Sequence, residues 1–479
     1  MTKIENILNE SGPLMSSELA RRLEKKDSIS YNTASQRIVR NKKIHKIKGF
    51  FKSGQSLCYL ETQEYDELYE KLNFNLFEYG RKYWYCLNAI KLNGGAIERK
   101  HLECLTNYPV LPLKKHLPFN KVMQVFVREG VLVFDSDYYY LSSRFGQKRI
   151  SKLTQSTLDL IKSDLLNSFE RLTKNIGLVS YKTPEFFAEY GKFRWAFKGV
   201  SNVTGLISDR KSGFLLADII IGKPIFKDDV RFFVEKINHI QSFNNASKLL
   251  PFLIVDDLDK EALIYLKKHG IVVGLIGELF GEKYALALKE LITILENTGA
   301  SLKNNPDKYL DLIKELKKYN EGLVNNIRGT FFEFMVGHIH SVNSNSSIKL
   351  GKIVFDRGKQ HEMDVMAVYP DKVIIVECKA TKSKVSKSYV DKWLGVKIPA
   401  FKKYLEGQDA YQNKNIVFEI WSINGFTEDA LIKLNSIAKK TTKYKIIYLE
   451  SKEIRNKALE MKNKKLKEAL DEYFLKIKV

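Results

Sequence analysis

The segment EMDVMAVYPDKVIIVECKAT, residues 362–381, contains three ionisable residues whose spacing could do chemistry: Asp364, Glu377 and Lys379. If the segment forms a hairpin turned at Pro370-Asp371, its residues pair outward symmetrically, Tyr369 with Lys372, Val368 with Val373, and finally Asp364 with Glu377. Directly opposed residues have Cβ atoms roughly 5 Å apart and point to the same face. Lys379 lies two residues beyond Glu377, so the period of a strand puts its ammonium on that face too. The flanking runs are apolar on both faces, as expected of a sheet interior covered by helices, where an unpaired charge costs several kcal/mol. A hard divalent cation compensates two converging carboxylates, and Mg²⁺ keeps waters and a substrate phosphate as its other ligands. A salt bridge from Lys379 to one acid explains one acid and one base, but not two acids and a lysine on one face.

Glu333 is a second candidate, within RGTFFEFMVGHI. Gly329 and Gly337 lie four residues to either side of it, so one helix face reads Gly-Glu-Gly, which permits close approach and offers one carboxylate. His338 and His340 are two apart on the same helix and diverge by about 200°, so they cannot share a metal and are read as structural or surface residues. His361 and Glu362 precede Asp364 and could touch the site. Arg357, Lys359, Lys382, Lys384 and Lys387 flank the hairpin as candidate phosphate contacts. No phosphate-cradling loop is present, so no nucleotide-driven motor is expected.

These residues need a sheet to hold them. From about 300 to 479 the sequence predicts helices, then the strands IKLGKIVFDRG, EMDVMAVYP, KVIIVECKAT and NIVFEIWSI, then TEDALIKLNSIAKK, KYKIIYLE and a charged helix over about 452–476. The segment 151–298 reads as an amphipathic connector, with Leu153, Leu158, Ile161, Leu165 and Leu166 on one face, followed by alternating strands and helices of an α/β domain. There Asp218 and Glu235-Lys236 loosely echo the acid pair. VRFFVEKI reads as a strand, on which adjacent Glu and Lys face opposite ways, so a shared metal site is not expected. This domain is either a degenerate relative of the last one or an ordinary structural α/β domain.

Residues 1–62 show three short helical patterns, placing Ile4, Ile7 and Leu8, then Leu19, Ala20 and Leu23, then Ile38 and Val39 as apolar positions, before KIHKIKGFFKSGQSLCYL, a strand, Ser-Gly turn and strand. This resembles the winged helix-turn-helix family. The resemblance implies that Tyr31, Asn32, Thr33, Ser35, Gln36, Arg37 and Arg40 face a major groove, with Lys42, Lys43, Lys46, Lys48 and Lys52 near phosphates. A weaker copy is expected over 78–150, with a hairpin turning at Asp135-Ser136-Asp137; its PFNKVMQVFVRE stretch is mostly apolar and reads as packing.

Over about 325–430 the chain resembles the PD-(D/E)xK nuclease superfamily, in its restriction-endonuclease-like and Mrr-like branches. Asp364 matches the family's hairpin acid, Glu377-Cys378-Lys379 its E-x-K, and Glu333 its helical acid; Met363 stands where Pro is usual. The resemblance implies a multidomain α/β protein with N-terminal winged-helix domains, a central α/β domain and a C-terminal restriction-endonuclease-like α/β/α domain. It also implies Mg²⁺-dependent phosphodiester hydrolysis, with Mn²⁺ able to substitute. Asp364, Glu377 and Glu333 would hold the metal, and Lys379 would position and help deprotonate water or offset transition-state charge.

Composition agrees with several domains and a polyanionic partner. The chain has 479 residues, 44% hydrophobic, with 79 Lys plus Arg against 56 Asp plus Glu, a formal charge of +23; neutralising phosphates with such a surplus releases condensed counterions. The four cysteines are scattered without metal or disulfide spacing. The opening MTKIENILNE lacks a signal-peptide core, and no apolar run reaches a membrane span of roughly 18 residues, so a cytoplasmic protein is expected. The expected activity is a DNA endonuclease acting on double strands in restriction or phage defence, with a homodimer and defence-system proteins as partners. The alternatives are a DNA-binding regulator or scaffold with an idle nuclease-like domain, and RNA as substrate.

Overall fold

The computed structural model describes residues 2–145, 151–201, 203, 206, 212–243, 246–341, 346–356 and 359–475. It is an α/β multidomain protein with four sheets among the described residues. Contacts divide it into two compact units, residues 1–150 with 165–279, and residues 151–164 with 280–479. The boundary falls within the helix Lys152–Asn175, and the helix Glu282–Glu296 belongs to the second unit rather than to the central segment suggested by sequence. Among the described residues no helix is long and apolar enough to cross a membrane. All four cysteines are buried free thiols.

The first unit begins with the helix Lys3–Ser11, β1 (Leu14–Met15), helices Ser16–Asp27 and Tyr31–Arg40, β2 (His45–Ile47) and β3 (Leu57–Tyr59), the strands in the order β1-β3-β2. The helices start where polar side chains satisfy their free N–H groups. Thr2 and Glu5 cap the first reciprocally, and Ser30 accepts from the Thr33 N–H at the third. Ile4, Ile7, Leu8, Leu19, Ala20, Leu23 and Ile38 fill one core, whereas Val39, expected among the apolar positions, is 71% exposed.

The same succession recurs downstream. The helix Arg81–Leu92, β4 (Ala96–Glu98), helices Arg99–Cys104 and Phe119–Arg128, β5 (Leu132–Asp135) and β6 (Tyr138–Leu141) form a sheet in the order β4-β6-β5. Its hairpin turns through Ser136 and Asp137, with φ of 50° and 66°, an arrangement whose twist matches paired strands. Phe119, Val122, Met123 and Phe126 of the third helix are buried.

Next come β7 (Glu185–Tyr190), β8 (Phe193–Ser201), β9 (Gly213–Ile220), β10 (Leu249–Val255) and β11 (Val272–Leu275), forming one sheet in spatial order β11-β10-β9-β8-β7. Pairings β7–β8 and β8–β9 are antiparallel; β9–β10 and β10–β11 are parallel. VRFFVEKI, expected as a strand, is helical: Val230 ends a short 3-10 turn and the rest lies in the helix Arg231–Gln241. Its buried residues Phe232, Phe233, Lys236, Ile237 and Ile240 follow a helical stripe, and parallel strands β9 and β10 need a crossover of this kind.

The second unit holds β12 (Ser347–Asp356), β13 (Lys359–Val368), β14 (Lys372–Lys379), β15 (Asn415–Ser422) and β16 (Lys445–Leu449), side by side in chain order. Here too the first two pairings are antiparallel and the last two parallel, so the two five-stranded sheets share strand order and sense. The helix Arg328–Ser341 precedes the sheet. Between β14 and β15 a continuous helix runs through Lys387–Lys392, a π-helical turn Trp393–Lys397, and Ile398–Glu406. Met366, Val373, Ile375, Val390, Trp393, Phe401, Phe418 and Ile420 form the core beneath it. The expected single tail helix is two, Ser451–Glu460 and Lys464–Ala469, broken at Lys462 where φ is 51°.

Candidate active site

The β13–β14 hairpin closes with the Tyr369 N–H donating to the Lys372 carbonyl at 2.8 Å, and its ladder runs from Val368↔Val373 to Val365↔Val376. One step further, that register places Asp364 opposite Glu377. On Asp364's other side the β12 ladder is interrupted at Gly351, whose φ of 60° suits a residue without Cβ. Asp364 therefore leaves strand pairing just where its side chain turns to the site. Its Oδ2 accepts from the Cys378 N–H at 2.7 Å, tying the carboxylate to β14.

Glu377 is the hub, with a side chain only 1% exposed. Lys379 Nζ lies 2.9 Å from its Oε1 and 4.0 Å from Asp364 Oδ2. Lys397, at the end of the π-helical turn, donates to both Oε1 and Oε2 of Glu377 at 2.7 Å, and the Tyr389 hydroxyl donates to Oε1. Lys379 Nζ also lies 4.7 Å from the Tyr389 ring centroid. Sequence reasoning brought Asp364, Glu377 and Lys379 to one face; Tyr389 and Lys397 were not read from sequence. The available signal was Pro399, two residues past Lys397. It lacks an N–H and its ring crowds the carbonyl four residues back, so a continuous helix there must widen.

Glu333 sits half-buried, and its Oε2 is enclosed without a hydrogen-bond partner. Of its two flanking glycines, Gly337 marks a close approach, since a Cβ there would lie 2.9 Å from Leu302 Cδ1; at Gly329 nothing lies within 4 Å of such a Cβ. His338 and His340 are buried and contact different tyrosines, Tyr309 and Tyr369, through their Nδ1 atoms.

The electrostatics divide the acids. Burial, and then the charge of Glu377, push Asp364 up to about 6. Burial would raise Glu377 as well, but Lys379, Lys397 and Tyr389 together hold it below the usual carboxylate range. Glu333 is raised well above that range by burial, with Asp364 and Glu362 adding to the effect. Burial alone would lower Lys379, yet Asp364 and Glu377 outweigh it and raise its affinity for its proton. In this arrangement Lys379 is thus a fixed cation, suited to offsetting anionic charge rather than to accepting a proton from water.

Among the described residues no three His, Cys, Asp or Glu side chains form a ready metal cage. The donor type nevertheless fits a hard divalent cation. Asp364 and Glu377 supply converging carboxylate oxygens, and the enclosed Glu333 Oε2 is an acceptor lacking a donor.

Of the residues expected to meet DNA, Tyr31, Asn32, Thr33, Gln36, Arg37 and Arg40 are exposed on the helix Tyr31–Arg40 and Ser35 is half-buried. Arg37 is paired with Asp27 at 2.9 Å. Lys42, Lys43, Lys48, Lys52 and Lys382 are exposed, and Arg357 lies outside the described residues. Lys46, in β2, instead donates to the carbonyls of Val39 and Asn41, satisfying groups at the C-terminus of the helix Tyr31–Arg40.

No protein-family model matches the chain, and no curated protein does. Among solved structures it is similar to EndoMS in an EndoMS-dsDNA2 complex, at 12% identity and a TM-score of 0.18 over 28% of this chain and 49% of that one. EndoMS in apo form follows at 9% identity and a TM-score of 0.17, over 29% and 49% of the respective chains. The chain thus spans about half the length of these proteins, and likeness at that level establishes neither a shared fold nor a shared activity.

Proposed function

We propose that the protein is a metal-dependent DNA endonuclease whose β13–β14 hairpin carries the cutting site. The observation that supports this most is the convergence of Asp364, Glu377 and Lys379 at the end of a helix-covered sheet, where a second buried acid beside an already paired one costs stability and so points to function. In this reading Asp364 and Glu377, joined by Glu333, hold Mg²⁺, or Mn²⁺ in its place. Held there, the ion would supply Lewis-acid chemistry, polarising the scissile phosphate and stabilising the departing oxygen. Lys379, held protonated, offsets the charge that develops on the phosphate. The N-terminal modules, with winged-helix element order and exposed Arg37 and Arg40, grip the duplex through its backbone. A restriction or phage-defence role in the cytoplasm, with a homodimer supplying two cuts, is the setting we infer.

One observation favours a second reading, a DNA-binding regulator with an idle nuclease-like domain: Glu377 is already neutralised by two lysines. Incubation of plasmid DNA, single-stranded DNA and RNA with Mg²⁺ or with EDTA separates the two. The nuclease reading expects metal-dependent nicking of the plasmid that Asp364→Ala and Lys379→Ala abolish. Binding that survives EDTA, with no cleavage under any metal, would favour the regulator.

A further inference from the structure

We propose that Lys397 is a resident counter-ion of the site, holding Glu377 until a divalent cation displaces it and thereby setting the site's metal affinity; the idea rests on the metal-dependent reading above. Among the described residues Lys397 is the one that hydrogen-bonds both oxygens of Glu377, at 2.7 Å each. Oε1 also receives Lys379 and the Tyr389 hydroxyl, so Oε2 is the oxygen held by Lys397 alone among the described hydrogen bonds. Mg²⁺ binds carboxylate oxygens at about 2.0–2.1 Å, and an ammonium already bridging the two oxygens occupies the approach. One cation must yield to the other.

Two further observations point the same way. Lys397 closes the π-helical turn Trp393–Lys397, imposed by Pro399 inside an otherwise continuous helix. A widened turn of this kind changes where the side chain is aimed, and such turns recur at functional positions. The central sheet supplies the control. Asp218, sixth residue of β9 as Glu377 is sixth of β14, is likewise met by a lysine from the following helix, Lys236, at 2.8 Å. There the ammonium also donates to the carbonyls of Cys104 and Arg194, and both side chains are 0% exposed. Lys397 hydrogen-bonds Glu377 alone among the described residues and is 20% exposed. Lys236 is locked in place; Lys397 has room to leave along its flexible stem.

The test is Mn²⁺ binding to the full chain followed by electron paramagnetic resonance, with wild type, Lys397→Met, Lys397→Gln and Asp364→Asn compared at one pH after circular dichroism establishes that each is folded. Folded Lys397→Met or Lys397→Gln is expected to bind Mn²⁺ about tenfold tighter than wild type, the factor matching one displaced charge-assisted contact of ordinary strength. Asp364→Asn is expected to bind weakly. Unchanged or weaker binding by the Lys397 variants, while Asp364→Asn still loses affinity, overturns the counter-ion role and leaves the metal site standing. Absence of Mn²⁺ binding in every form overturns both.

Discussion

The two five-stranded sheets have one topology and different fates. In both, an acid lies one step beyond the antiparallel ladder of the third strand: Asp218 after Phe197↔Ala217, and Glu377 after Val365↔Val376. In both, a lysine from the next helix reaches it. The difference lies around the acid. Continuing the registers, Ala196 stands where the last sheet has Asp364, and Ile220 where it has Lys379. With its companions gone, the central acid takes a backbone N–H from Ala196 and an ammonium with three acceptors, and is sealed. The last sheet keeps four ionised groups at a partly open strand end. The contrast teaches that one lysine–carboxylate pair serves as a structural clasp when fully satisfied, whereas the same pair with surplus charge beside it costs stability and suits function.

The largest effect should come from opening the clasp. Lys236→Met leaves Asp218 buried without its cation and is expected to destabilise the first unit by about 3–5 kcal/mol in urea denaturation. Lys397→Met should cost less, about 1–3 kcal/mol, because it leaves Glu377 Oε2 without its donor while Lys379 and Tyr389 still serve Oε1. Similar losses at the two positions would break the comparison.

Asparagine substitutions sharpen it. Burial raises Asp218 and Asp364 alike to about 6 from 3.8, so each group's stabilising share is complete below 3.8 and disappears as pH rises through 6. At pH 8, Asp364→Asn removes a carboxylate held against that penalty and should gain up to about 3 kcal/mol, a gain that fades towards pH 4. Asp218→Asn should lose stability instead, since it strands Lys236. Denaturation at pH 4, 6 and 8 reads both signs.

The smallest effect concerns the N-terminal helix. Arg40→Ala should weaken duplex binding by about 1 kcal/mol or less and reduce the slope of affinity against salt by about one, measured by fluorescence anisotropy across a salt series.

The hairpin was legible because two local rules agree: Pro370-Asp371 fixes the turn, and the period of two then fixes which side chains converge. Gly191 and Lys192, with φ of 58° and 73°, form a comparable two-residue turn between β7 and β8, but a Gly-Lys pair inside an aromatic-rich run is a weaker signal and the hairpin went unread. The helix Arg231–Gln241 was misread because a short apolar run fits either period until its partners are known. Tyr389 and Lys397 were harder to reach: Pro399 signals a widened turn at Lys397, but which group that turn meets depends on how the helix docks across the sheet, and no spacing along the chain encodes that.

The most direct measurement is Mg²⁺-dependent nicking of supercoiled plasmid by Glu377→Gln and Asp218→Asn side by side, each at a temperature where circular dichroism finds it folded. The account predicts that Glu377→Gln loses about a hundredfold or more in rate while Asp218→Asn stays within about threefold of wild type. Nicking by Glu377→Gln at the wild-type rate, or loss confined to Asp218→Asn, would contradict it.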